Sequence, residues 1–170
     1  SGDIIIGVQS SGIHTNGFSL VRKILQERKI NLMDKIADFS STSIGYHLLE
    51  PTKIYVKPIL NEHYNKRLKA CAHITGGGIL ENLPRVIPNN LCSIIDGEKI
   101  QPNNIFHLLK DLGNIDLIEM LRTFNCGIGM CLITSPQNSK KVITSLNNAK
   151  EQAYIIGHIE NKTKNRNIII

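Results

Sequence analysis

Three short stretches concentrate the residues of this chain that could do chemistry: "SSGIHTNG" at residues 10–17, "HITGGG" at 73–78 and "FNCGIGM" at 124–130. Each combines glycines with hydroxyl, amide or imidazole side chains, and each adjoins an apolar run. Glycine lets a backbone approach a ligand closely, and peptide N–H groups at the start of a helix offer donors to a phosphate or carboxylate. Ser10, Ser11, Thr15, Asn16 and Ser19 add hydroxyl and amide groups around the first stretch. The chemistry these residues suit is anion binding, with phosphate the expected anion. Taken singly, each stretch also meets the demands of an ordinary turn or helix cap. Their joint occurrence is what points to a ligand.

Two histidines belong to these stretches. His14 lies inside the first, and His73 opens the second beside Thr75 and the glycine triplet. Either imidazole could exchange a proton near neutral pH or donate to a substrate oxygen, and either could instead fix its loop by bonding to backbone. His47, His63, His107 and His158 are assigned to the surface or to helix faces. Glu81 and Asn82, one turn beyond the triplet, could meet a ligand there, although an acidic residue at that position also complements a helix dipole. Glu50, Pro51 and Thr52 are similar in kind.

The established signatures of self-contained sites are absent. There is no GxxxxGK[ST], and "TGGGIL" lacks both the GxGxxG spacing and the acidic residue expected about 20 positions later. No GxSxG nucleophile elbow and no HExxH metal pair occurs. Cys71, Cys92, Cys126 and Cys131 form no CxxC pair and sit among apolar residues, so buried reduced thiols are expected and no metal site is assigned.

The elements that must position the loops can be read from periodicity. Residues 3–9 form a β-branched run that predicts a buried strand, and Asn16 is placed to cap a helix whose face carries Phe18, Leu20, Val21, Ile24 and Leu25. Residues 36–49 predict an ordered loop or short turns. A helix after Pro51 is expected to be interrupted or kinked at Pro58. "KACAHIT" and "LCSIID" predict strands, with a short helix from the triplet to about Pro84 between them. In "NNIFHLLKDLG" the apolar residues fall at i, i+3, i+4 and i+7, with Gly113 placed to end the helix, and a second helix is expected over Asp116 to Arg122. The strand "GIGMCLIT" precedes Ser135 and Pro136, a cap and first-turn pair for a helix carrying Val142, Ile143 and Leu146. "QAYIIGHI" and the terminal "NIII" predict two more strands. The link from Ile159 to Ile168 is too short for a parallel crossover, so a mixed sheet with helices on its faces is expected, an α+β fold.

With 170 residues, 41% hydrophobic and 20% charged, the chain suits one globular domain over 1–170 with an aliphatic core. No apolar run approaches the roughly 20 residues that span a bilayer, so no membrane association is expected and a cytoplasmic location is. The formal charge of +6 is scattered over the chain, and no aromatic stacking motif accompanies it, which argues against nucleic acid as a partner. The chain opens on "SGDIII" with no initiating Met and is expected to begin partway through a longer polypeptide.

The stretches "SSGIHTNGFSLVRKIL", "LLEPTKIYVKPIL", "AHITGGGILENLPRVIP" and "EMLRTFNCGIGMCL", followed by "AYIIGHI", resemble in order and spacing the C-terminal half of the phosphoribosylformylglycinamidine cyclo-ligase family, also called aminoimidazole ribonucleotide synthetases. The resemblance runs from Gly2 to about Ile159. The interior of residues 30–43 and the tail at 160–170 diverge. It implies an α+β fold with partial ferredoxin-like topology. The implied reaction is a step of purine synthesis: ATP activates the formyl oxygen of formylglycinamidine ribonucleotide as an iminophosphate, the amidine nitrogen closes the imidazole ring, and phosphate leaves.

The family has an N-terminal domain that forms a homodimer and carries most contacts to ATP and Mg²⁺, and nothing in these 170 residues matches it. The resemblance therefore implies half of a two-domain enzyme, inactive alone, partnered by its own N-terminal domain and the ribonucleotide substrate, with no cofactor expected on this chain itself. Carried over by position, Ser10, Ser11, Gly12, His14, Thr15 and Asn16 would line the cleft toward the ribose phosphate or the transferring phosphate. His73, Thr75, Gly76, Gly77 and Gly78 would form the adjoining wall, supported by Asn125, Gly127 and Gly129, with His14 and His73 nearest the chemistry. Two other readings accompany this one. The first is another enzyme of the same superfamily, whose members usually carry an Asp before the glycine triplet that is missing here. The second is an anion-binding or regulatory module of the same fold without catalysis.

Overall fold

The computed structural model describes residues 1–36, 39–162 and 168–169. The strands are β1 (Ile4–Gln9), β2 (Ala70–His73), β3 (Leu91–Ile95), β4 (Ile128–Thr134), β5 (Ala153–Asn161) and β6 (Ile168–Ile169). The helices are α1 (Phe18–Glu27), α2 (Ile44–Leu48), α3 (Val56–Tyr64), α4 (Gly78–Asn82), α5 (Asn104–Gly113), α6 (Leu117–Thr123) and α7 (Pro136–Asn148). Two 3₁₀ turns, Leu83–Val86 and Gly97–Lys99, complete the described elements.

These strands join one sheet in the order β2-β4-β1-β5-β3-β6, antiparallel throughout except for the parallel β3·β6 edge pair. β1 and β2 run in the same direction with β4 between them, and β4 and β5 run in the same direction with β1 between them. These are two interleaved split βαβ units, the ferredoxin-like plan. β3 and β6 extend it beyond β5. The short link from Ile159 to Ile168 is accommodated because β6 lies beyond β3 and antiparallel to β5.

Both faces of the sheet are covered, which is why the central strands are nearly continuous apolar runs: every residue of β4 is buried. One face packs Ile5, Cys131 and Ile133 against α1, α2, α4, α5 and α6 through Val21, Ile44, Ile79, Phe106, Leu109 and Leu121. The opposite face packs Ile6, Val8 and Leu132 against Tyr55 and, from α7, Val142 and Leu146.

Several local expectations change. Asn16 does not cap α1; Gly17 occupies the cap position, and the Asn16 amide turns back to donate to the His14 carbonyl at 3.0 Å. The polar region 36–49 contains the helix α2, anchored where Ile44 and Leu48 reach the core. Pro58 leaves α3 unbroken because it falls in the first helical turn, where its missing N–H has no intrahelical acceptor to lose. Gly113 is the last helical residue of α5, and Asn114 takes the left-handed capping conformation. Cys92, Cys126 and Cys131 are buried free thiols, but Cys71 is exposed on the edge strand β2. Of the expected "NIII" strand, Ile168 and Ile169 are present, while Asn167 and Ile170 lie outside the described residues, as do Ala37 and Asp38. Among the described residues, no helix is long and apolar enough to cross a membrane.

Candidate functional site

β4 runs antiparallel to both its neighbours, so the C-terminal ends of β1 and β2 lie beside its N-terminal end. The register sets Gln9 opposite Ile128 and His73 opposite Met130. The three glycine stretches, far apart in sequence, therefore converge on one end of the sheet. β5 starts at this same end, with Ala153 opposite Val8, and brings Glu151 with it.

The first and third loops are tied together from inside. Ser10 Oγ donates to Asn125 Oδ1 at 2.9 Å, the same oxygen accepts the Gly127 N–H at 2.8 Å, and Asn125 Nδ2 donates to the Gly12 carbonyl at 2.8 Å. Asn125 is buried, and its amide uses both ends on these partners. It holds the backbone of the first and third loops together, and its own polar atoms are used inside the protein.

His14 is the keystone of the first loop. The residue is 2% exposed, and the N–H groups of Ser11 and Lys53 approach Nε2 at 3.1 and 3.4 Å. Two backbone donors aimed at one ring nitrogen assign Nε2 as the acceptor and place the proton on Nδ1, which is buried without a hydrogen-bond partner among the described residues. Ser11 Oγ also lies 3.0 Å from Nε2 and donates to the Pro51 carbonyl at 2.7 Å. Burial, reinforced by the neighbouring charges of His73 and Lys53, pushes the imidazole down to about 4 from its ordinary 6.5. His14 is accordingly neutral at physiological pH.

A direct consequence is measurable. Histidine-ring nitrogen NMR should show His14 as the neutral Nδ1–H tautomer from pH 5 to 8, with its titration near pH 4. Because the folded value lies below the ordinary one, the unfolded chain binds this proton first. His14 should therefore contribute to a loss of stability as pH falls from about 6.5 toward 4. A ring titrating near pH 6.5 would contradict the burial assigned to it.

Thr15 is exposed beside this network. Its Oγ1 donates to the His14 carbonyl at 2.6 Å and lies 3.4 Å from Thr52 Oγ1. The second loop is clamped by Asn82, whose Nδ2 lies 3.3, 3.1 and 2.8 Å from the carbonyls of Thr75, Gly76 and Gly78. Thr75 Oγ1 donates to Asn82 Oδ1 at 3.4 Å. Gly76 has nothing within 4 Å of the position a Cβ would take, so its backbone faces open space. Gly78 is the opposite case: φ is +57°, and a Cβ there would collide with the Leu121 carbonyl.

Tyr55 joins the two histidines. Its ring centroid lies 6.0 Å from that of His14 and 6.2 Å from that of His73, and its hydroxyl donates to the Gln9 carbonyl at 3.0 Å. Burial raises the pKa of its phenol, which stays neutral. Gly129 is required here because a side chain on it would occupy the position of the Tyr55 hydroxyl. His73 itself is exposed, with its ring edge-on to that of Tyr55. Between the first loop, α2 and the start of α5, a cleft of about 590 Å³ is lined by Ser11, Gly12, Ser40, His47, Glu50 and Asn103, among others.

Residue type and spacing alone single out neither Tyr55 nor Lys53. The available signal is their place in "LLEPTKIYVKPIL", one of the stretches that carry the family resemblance, just after Glu50, Pro51 and Thr52, which could meet a ligand. Among the described residues no group of three or more His, Cys, Asp or Glu is placed to hold a metal ion.

A ferredoxin-like sheet with three glycine loops gathered at one end defines the class, an α+β domain of ferredoxin-like plan. The chain matches the family model described as "AIR synthase related protein, C-terminal domain" over residues 1–169, and it belongs to that family. It is 48% identical over 160 residues to the phosphoribosylformylglycinamidine cyclo-ligase of Syntrophus aciditrophicus, covering 94% of this chain and 46% of that protein. It is 47% identical over 161 residues to the protein of the same name from Acetivibrio thermocellus, with the same two coverages. The chain thus spans about half the length of these curated relatives. The crystal structure of thiamine-monophosphate kinase from Stenotrophomonas maltophilia has the same fold, with a TM-score of 0.64 at 16% identity, covering 98% of this chain and 49% of that one.

Proposed function

We propose that this chain is the C-terminal half of a cytoplasmic, ATP-dependent cyclo-ligase that converts formylglycinamidine ribonucleotide to aminoimidazole ribonucleotide. The observation that carries the reading is the convergence of three glycine loops on one end of the sheet, held by Asn82, Asn125 and His14, in a chain so similar to proteins of that name. In this reading Ser11, Thr15 and the backbone of residues 10–16 and 75–78 bind and orient the ribonucleotide, and loop amides meet its phosphate. Gly127 and Gly129 let the third loop pack against the Gln101–Pro102 backbone and the Tyr55 hydroxyl, where a side chain would collide. His73, exposed and free of hydrogen bonds among the described residues, is the group suited to exchanging a proton with the substrate, while His14 works by holding the loop.

ATP supplies the phosphoryl group that activates the formyl oxygen. The other half of the enzyme holds most of the nucleotide and Mg²⁺ and forms the homodimer. Mg²⁺ belongs with the nucleotide in that half, and no step through the metal is assigned to this chain. Turnover needs both halves, because a cleft between domains loses one wall when they are separated.

Calorimetric titration of the chain tests this division. Formylglycinamidine ribonucleotide is expected to bind, and ATP with Mg²⁺ is not. Binding of ATP alone would reverse the assignment of the two halves.

A further inference from the structure

Lys53 is absent from the residues assigned above, yet it is built into the same network. Its N–H donates to His14 Nε2 at 3.4 Å, and the preceding Thr52 hydroxyl lies 3.4 Å from that of Thr15. Its ammonium is held in place: Nζ pairs with Glu151 Oε2 at 2.7 Å and lies 5.9 Å from the Tyr55 ring centroid. The Lys53 side chain is 27% exposed and that of Glu151 11%, so the pair sits at the rim of the site with the cation on the outer side. An ammonium has three donors, and one carboxylate contact leaves others for a ligand.

The geometry points to Lys53 as a phosphate ligand of this site, with Glu151 acting as the tether that holds the ammonium ready. This rests on reading the glycine loops as a phosphate site and adds to them the cation that their neutral amides and hydroxyls lack. Charge-assisted hydrogen bonds are roughly twice as strong as neutral ones, so a fixed ammonium beside the loops would account for much of the affinity for a dianion. The phosphate could belong to the ribonucleotide or to ATP, and the test separates the two.

The opposite charges of the two partners give the test its sign. The purified chain and its Lys53→Gln, Lys53→Arg and Glu151→Gln variants would be titrated with ribose 5-phosphate and, separately, with ATP and Mg²⁺. Lys53→Gln should weaken binding roughly ten- to a hundredfold, and Lys53→Arg should restore most of it. Glu151→Gln should tighten binding, because the negative charge that competes with the phosphate for the ammonium is gone. Whichever ligand shows this pattern identifies the source of the phosphate. Weakened binding in both Gln variants, with lowered thermal stability in both, would mark the ion pair as purely structural and overturn the proposal.

Equal binding by wild type and Lys53→Gln would overturn the proposal and leave the cyclo-ligase reading standing. Failure of wild type to bind either phosphate would overturn it as well. Lys53-dependent phosphate binding in a chain that gives no turnover with an N-terminal half would uphold it while the cyclo-ligase reading fell.

Discussion

Replacing Asn125 with alanine is expected to cost about 4 kcal/mol of stability, because two backbone groups lose their partners in a buried setting. The Gly127 N–H and the Gly12 carbonyl are both satisfied by this one side chain, and Ser10 Oγ loses its acceptor as well. Each buried polar group left unpaired costs about 1–3 kcal/mol, and the vacated volume adds to the sum. For a chain of this size the thermal midpoint should fall by about 10 °C. Ser10→Ala removes only one bond of the set and should cost about 1 kcal/mol. Asn125→Asp keeps an acceptor for Gly127 and Ser10 but turns an oxygen toward the Gly12 carbonyl, so it should not rescue. Thermal unfolding of the three variants checks this order; an Asn125→Ala midpoint within about 2 °C of wild type would show that the first and third loops are not tied through this amide.

Gly78→Ala is the second large effect. The residue starts α4 with φ at +57°, and the added methyl would strike the backbone carbonyl of Leu121 in α6. The left-handed conformation alone costs an L-residue about 1 kcal/mol. Backbone cannot step aside as a side chain can, so α4 and α6 must separate, opening the core at Ile79 and Leu121. Destabilisation of about 3 kcal/mol or more is expected in urea unfolding. Two positions away, Gly76→Ala meets open space and should leave the unfolding midpoint unchanged. If the triplet takes a ligand, that neutral substitution should nevertheless weaken ribonucleotide binding. The pair of variants thus separates what the glycines do for the fold from what they do for a ligand.

Periodicity encodes most of the secondary structure. The runs at 3–9 and 127–134 are apolar on both faces because both faces are covered, and the spacing of Ile105, Leu108, Leu109 and Leu112 could fit little but a helix. The mixed sheet follows from a chain link too short to cross over. Strand order does not follow, because it depends on pairings across the whole chain that no local pattern encodes. Neither does the small helix α2, whose polar sequence is overridden by the burial of Ile44 and Leu48.

At the site, residue type locates the loops but not the direction each side chain faces. Asn16 has the chemistry of a helix cap, yet it bonds to the His14 carbonyl because the chain has already turned left-handed at His14 and Thr15. His14 and His73 read alike in sequence. In the fold one is sealed beneath the loop it fixes and the other stands exposed at the end of the edge strand β2, although both rings flank Tyr55. Lys53 and Tyr55 lie in the stretch "LLEPTKIYVKPIL" that carries the resemblance, but their part in the site becomes visible only when the segment leading into α3 brings them under the first loop.

That this chain supplies one wall of a cyclo-ligase active site is tested most directly by joining it to the N-terminal half of the Syntrophus aciditrophicus relative and following formation of aminoimidazole ribonucleotide from formylglycinamidine ribonucleotide and ATP. Turnover in the joined protein, none in either half alone, and its loss in a His73→Ala variant that still folds are the predicted results. A joined protein that folds and binds the ribonucleotide but forms no product would contradict the claim.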